Sequence, residues 1–219
     1  MRTQILSMGM VSVFALAAPA FGAAPVVAPF TLNAENFVAS TTDTVQVWLG
    51  TGGNPDGFVQ IRKVTSVDAF PLGTRTSVTP EFLGNYAAAG INRAGFDLVT
   101  FNTVLDGSQI RFRPDVGTNG WHYNFGAMPA SNSWVSLLTP VFDPTWSDVM
   151  ATANGWTQEP GAPSFATLFS SVGWIEARFD NPGPTSALIG VDNVRLVPAP
   201  SAAAAGLLGL ALVSRRRRR

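Results

Sequence analysis

The side chains that most often carry covalent chemistry are nearly missing from this chain. In 219 residues there is one histidine, His122, and no cysteine. No Gly-x-Ser-x-Gly elbow is present to activate a serine. A zinc site needs about three or four His, Cys or carboxylate donors, and His122, set between Trp121 and Tyr123, is a poor anchor for one. The expectation for it is an ordinary core or half-exposed histidine. Carboxylates are more plentiful. Glu176 and Asp180 are four positions apart, and Asp143 and Asp148 flank Trp146. Along one strand, positions four apart share a face about 13 Å from each other, beyond the ~5 Å or ~6.5–9.5 Å spacing of glycoside hydrolysis. Carboxylates from different strands stay open as a pair, so a glycoside hydrolase is kept as the least favoured reading. The expectation is that the chain is not an enzyme.

Sugar binding asks for something else: flat aromatic rings at the surface, with amides and carboxylates beside them for the hydroxyls. Trp121, Tyr123, Trp146 and Trp156 are the candidates. Trp146 and Trp156 fall in the irregular stretch 140–163, where loops carry function more often than strands do. Trp48, Trp134 and Trp174 sit in strand patterns and read as core.

The elements that must hold these residues are short and β-like. Residues 44–49 (Thr-Val-Gln-Val-Trp-Leu), 58–64, 95–101, 110–113, 121–125, 134–138, 173–179 and 190–197 read as strands. Residues 30–32 read as the start of the first strand, and 50–57 (Gly-Thr-Gly-Gly-Asn-Pro-Asp-Gly) as a strong turn. Irregular alternation at Phe58 and Ile61 suggests a bulge. Pro80 makes 78–85 an edge or a short helical turn, 86–93 reads as a loop, and 164–171 has helical spacing. Many short strands, few helices and no βαβ rhythm predict an all-β, jelly-roll-like antiparallel β-sandwich over 30–197.

Both ends read as processing segments. Residues 1–22 form a signal peptide: Met1-Arg2, an apolar stretch, then small-x-small sites ending at Ala20 and Gly22. Residues 23–29 read as an Ala/Pro/Val linker. The segment 198–219 holds a 12-residue apolar run, 202–213, followed by Ser214 and five arginines. Such a helix is roughly 18 Å long against a ~30 Å hydrocarbon core. It is marginal as a permanent span, and its arginines favour the cytoplasmic side. Transient membrane insertion follows, with the body exported and anchored until the tail is processed. Six of the 14 basic residues lie in these ends, which leaves eight against 14 acidic ones and a body near −6. That balance argues against nucleic acid and anionic lipid as partners. With no cysteine, the body must be held by its core or by metal.

The tail resembles the bacterial PEP-CTERM sorting signal. Val197, Pro198, Ala199 and Pro200 match its Pro-Glu-Pro-like motif, with Ala199 in the place of Glu, and Arg215, Arg216, Arg217, Arg218 and Arg219 match its basic cluster. The resemblance implies an exosortase-type enzyme that removes the tail, and a destination at the cell surface or in the extracellular matrix. The body resembles the laminin domain IV type A module, a jelly roll similar to carbohydrate-binding modules. The residues that carry this are the turn 52–58, the segment Pro80-x-Phe82-Leu83-Gly84-Asn85, and the closing Val191-Asp192-Asn193-Val194-x-Leu196. By analogy with such folds, first and last strands meet at one end. Glu35 and Asp192 would then share a structural calcium, with Asp43 as a second candidate. The leading functional expectation is a structural or matrix-interaction module with an extracellular polysaccharide or matrix protein as partner. The alternative is a carbohydrate-binding module, calcium-stabilised.

Overall fold

Alternation decides the architecture. In the computed structural model, which describes residues 24–64, 71–101, 103–180 and 187–200, the chain runs β1 (Val26–Ala28), β2 (Val38–Ala39), β3 (Thr44–Leu49), β4 (Phe58–Lys63), β5 (Leu72–Thr76), a 3-10 turn (Pro80–Phe82), α1 (Tyr86–Ala89), β6 (Ile91–Thr100), β7 (Leu105–Arg113), β8 (Trp121–Met128), β9 (Val135–Leu138), α2 (Asp148–Ala153), β10 (Trp156–Gln158), α3 (Phe165–Phe169), β11 (Trp174–Asp180) and β12 (Leu188–Pro198). Among the described residues the strands pair antiparallel. The first sheet has the order β3-β4-β12-β6-β9, with β1 also on β12; the second has the order β10-β8-β7-β11-β5-β2. This is the jelly-roll β-sandwich expected from the strand pattern.

The period of two sends every second residue inward. On β11 the inward set is Ile175, Ala177 and Phe179; on β7 it includes Ile110 and Phe112. Phe96 of the first sheet meets Phe125 and Phe179 of the second, with ring centroids 5.6 and 5.5 Å apart. Burying aromatic and branched side chains of this size is worth roughly 1.5–3 kcal/mol each, the main force closing the two sheets. Gln46 on β3 donates to the Phe37 carbonyl at 2.6 Å and accepts from the Thr74 hydroxyl of β5 at 2.8 Å, which satisfies polar groups between the sheets.

Several elements differ from the sequence reading. The stretch 23–29 is not merely a linker: Val26–Ala28 pairs with β12 at Val26↔Leu196. Residues 30–32 form no strand; Phe30 turns the chain with φ 49° and is fully buried, edge-on to Phe37. The 86–93 loop contains α1 and the start of β6. The irregular 140–163 stretch holds α2, capped by Ser147, and β10. The β3–β4 register is unbroken from Thr44↔Lys63 to Leu49↔Phe58, so the bulge expected there is absent. Irregularities occur instead between Asp192 and Arg195 on β12 and between Leu105 and Gln109 on β7. The signal segment and residues 201–219 lie outside the described residues.

Candidate functional site

The residues expected to hold sugar do not form one surface. Trp121 is fully buried, and its indole N–H donates to the Pro163 carbonyl at 2.9 Å. Trp156 is 2% exposed and packs on Phe112, Phe142, Phe165 and Phe169. Both point from the second sheet into the core, so neither is a platform. Tyr123 is half-buried against Phe125 and Trp156, and Trp146 is half-buried, tilted over Phe165. Asp143 accepts from the Thr145 amide, and Asp148 accepts from the Phe165 amide at the start of α3. These carboxylates build turns. Trp48, expected in the core, is 37% exposed on edge strand β3.

The opposite, outward face of the second sheet is where polar side chains converge. Register places Val38, Arg75, Glu176, Arg111, His122 and Thr157 in one row across β2, β5, β11, β7, β8 and β10. A neighbouring row holds Gly73, Arg178, Gln109 and Asn124. Trp174 and Arg113 are paired on the other side of the first row. The middle of this face is recessed: Trp174, Glu176 and Arg111 are 4, 3 and 6% exposed, whereas Val38, Asn124 and Thr157 at the ends are open to solvent.

The recessed groups are tied into a network. Arg111 Nη1 donates to Glu176 Oε2 at 3.0 Å, and its Nε donates to Glu159 Oε1 at 2.8 Å; Nη2 also contacts Glu159. Glu159, just past β10, bridges to Arg113 at 3.1 Å and accepts the Gly120 amide at 2.9 Å. Burial opposes ionisation of Glu159. The Gly120 amide, Arg111 and Arg113 outweigh it and hold the carboxyl below its ordinary range. Glu176 has the contrary balance, since its deeper burial exceeds the pull of Arg111 and raises it. Two carboxylates pushed apart in this way suggest a glycosidase acid and base. Here, however, both are engaged by the Arg111 guanidinium, so the group linking them is an arginine and not a scissile bond. Burial lowers His122, whose Nδ1 stands 3.9 Å from Glu159.

Three guanidiniums surround the Trp174 ring, Arg113 at 4.6 Å and Arg75 and Arg111 each at 5.8 Å from its centroid. Trp174 Nε1, His122 Nδ1, Arg113 Nε and Arg178 Nε are buried and have no hydrogen-bond partner among the described residues. Sequence reasoning assigned Trp174 to the core and overlooked the arginines. The available signal was alternation: Gln109, Arg111 and Arg113, and Trp174, Glu176, Arg178 and Asp180, are polar or amphipathic positions interleaved with apolar ones.

The calcium candidates separate. Asp192 on β12 accepts the Asn54 amide at 2.6 Å and the Asn193 amide at 2.7 Å. Burial, followed by the charges of Asp97 and Glu35, pushes it up to about 6 against these hydrogen bonds. Arg195 neutralises Asp97 at 2.9 Å, and among the described residues no cation pairs with Asp192. Burial raises Glu35 as well. Asp43 is elsewhere: it precedes β3, whereas Asn54 follows it, and six strand residues span about 20 Å. Among the described residues no three His, Cys, Asp or Glu side chains converge on a metal position. The only link between Glu35 and Asp192 among the described residues is electrostatic: the Glu35 charge adds to the rise at Asp192, whose two oxygens already accept backbone amides.

No protein-family model matches the chain, and no curated protein does. Solved structures do. A family 11 carbohydrate-binding module from Clostridium thermocellum, in complex with a β-1,3-1,4-mixed-linked tetrasaccharide, aligns with TM-score 0.50 at 13% identity over 81% of this chain and 97% of that one. The family 11 module of a cellulosomal cellulase of the same organism gives 0.50 at 15% over 80% and 95%. An agarase gives 0.52 at 14%, over 81% of this chain and 26% of that one. At such identities the likeness is one of fold. The chain has the jelly-roll β-sandwich of carbohydrate-binding modules.

Proposed function

We propose that the chain is an exported, non-enzymatic carbohydrate-binding module of the cell surface or extracellular matrix, and that it holds polysaccharide on the outward face of the second sheet. The observation carrying this reading is the row Arg75–Glu176–Arg111–His122–Thr157 beside Trp174. It combines side chains fixed by one another, an aromatic ring and unsatisfied polar atoms on a recessed face. Rings and fixed polar groups are what a sugar-binding surface needs, because little side-chain entropy is then lost on binding. The fold likeness to modules solved with oligosaccharide supports the same choice over a purely structural role. Calcium at Glu35 and Asp192 belongs to the proposal as a structural ion beside β12, the middle strand of the first sheet, not a contact to sugar. Export through residues 1–22, and sorting by an exosortase acting on the 198–219 tail, complete it.

Affinity electrophoresis of the purified full chain through a panel of neutral and acidic polysaccharides tests the reading. At least one polymer should retard the protein. The double variant Gln109→Ala, Arg178→Ala should lose that retardation, and Trp48→Ala, on the other sheet, should keep it. The reverse pattern, or no retardation at all, would contradict the proposed face.

A further inference from the structure

The same face also has a donor–acceptor imbalance. Resting on the sugar-binding reading above, we infer that its ligand is an anionic polysaccharide, one bearing carboxylate or sulfate groups, with Arg75, Arg113 and Arg178 as the anion contacts around the recessed Trp174.

The imbalance begins with charge placement. The body between the two terminal segments has eight basic residues, and four of them, Arg75, Arg111, Arg113 and Arg178, are on this one face. Their acidic neighbours are already committed. Glu159 serves Arg111 and Arg113, Glu176 serves Arg111, and Asp180 accepts from Gln109 at 3.2 Å with Arg178 Nε at 3.5 Å. The Arg75 side chain has no hydrogen bond or ion pair among the described residues; its one contact of note is the Trp174 ring. Three guanidiniums within 5.8 Å of one ring centroid repel one another, and two carboxylates do not cancel three charges.

Hydrogen-bonding capacity tilts the same way. Among the described residues the buried indole N–H of Trp174 and the Nε–H of Arg113 lack acceptors, whereas Glu159 already accepts from Arg111 and the Gly120 amide, and Glu176 from Arg111. A neutral sugar hydroxyl brings a donor with every acceptor. A carboxylate or sulfate brings acceptors alone, and a planar guanidinium suits a carboxylate through paired N–H groups. A surface with spare donors and spent acceptors therefore complements an acidic sugar better than a neutral one. The body as a whole is near −6, so the attraction is local to this face and would not draw in polyanions in general.

The test compares the full chain on polygalacturonate, on dextran sulfate, on neutral mixed-linked β-glucan and agarose, and on polyglutamate. Binding to polygalacturonate or dextran sulfate, and weaker or no binding to the neutral polymers, is expected. Retention by the first alone assigns the carboxylate, and by the second alone the sulfate. Arg75→Gln, at a half-exposed side chain outside the ion-pair network, should weaken acidic-polymer binding about tenfold while leaving the melting temperature in place. Retention by neutral polymers only, or an Arg75→Gln variant that binds acidic polymer as tightly as the parent, overturns this inference and leaves the sugar-binding reading standing. Equal retention on polyglutamate overturns the sugar class of the ligand. No retention by any polysaccharide overturns both readings.

Discussion

Among the tryptophans, exposure and orientation separate roles that residue type cannot. Trp156 fills the interior between Phe112, Phe142 and Phe165, so Trp156→Ala should cost roughly 3–5 kcal/mol and lower the denaturation midpoint, with sugar affinity unchanged in whatever fraction remains folded. A fully folded variant with selectively lost binding would return Trp156 to the list of platforms. Asp192 makes a pH prediction. Its folded value of about 6 exceeds the ordinary 3.8, so the native state holds the extra proton between those limits. Without divalent cation, its contribution to stability is therefore complete at low pH and is lost as pH rises through about 6. His122, lowered by burial, works in the contrary direction below its ordinary 6.5. The difference between the parent and Asp192→Asn isolates the Asp192 part. Calcium should raise the melting temperature of the parent more at pH 7 than at pH 5. Equal shifts at both pH values, or a shift retained in Asp192→Asn, would remove calcium from this site.

At the scale of the strand, one-residue alternation both builds the core and presents the candidate site. Ile175, Ala177 and Phe179 point inward from the same strand that offers Trp174, Glu176 and Arg178 outward. The strands over 44–49, 58–64 and 190–197 were legible because their alternation and flanking turns are local signals. The row joining Arg75, Glu176, Arg111 and His122 was not, because it depends on the pairing order β5-β11-β7-β8, in which β11 sits between strands distant from it in the chain. Glu159 was hidden for the same reason: only the β8–β10 pairing brings it over Arg111. Trp174 was misread since a tryptophan within an apolar strand is ordinarily core, and low exposure alone would have confirmed that error. The network gives two element-level expectations. Arg111→Met leaves Glu159 and Glu176 without their shared partner and should destabilise by roughly 3–5 kcal/mol in chemical denaturation. A Cβ on Gly120 would stand 1.8 Å from the Phe112 carbonyl, and its amide holds Glu159. Gly120→Ala should thus cost roughly 1–3 kcal/mol and weaken polysaccharide retention as well, through displacement of Glu159. Wild-type stability in either variant would show that the network is dispensable.

For the whole molecule, the end of the last strand bears on the proposed processing of the tail. Within the last strand, Val197 pairs with Arg93 and Pro198 with Ile91, and the Ala199 amide donates to Gly90 at 2.8 Å. The first residues of the proposed sorting motif are thus paired in the sheet, so a processing enzyme that needs unpaired chain should cut beyond Ala199. Mass spectrometry of the surface form is expected to find Ala199 retained and the five terminal arginines absent, and deletion of those arginines should leave an unprocessed chain; unchanged processing would remove the sorting signal from the account. The most direct measurement of the ligand face is a two-dimensional nitrogen–proton NMR spectrum of the six indole N–H groups, titrated with oligosaccharide from the polymer that retards the protein. The Trp174 indole resonance should move, whereas those of Trp48 on β3, Trp134 just before β9 and buried Trp121 should stay fixed. A shift centred on Trp48 or Trp134, with Trp174 unmoved, would contradict the proposed face.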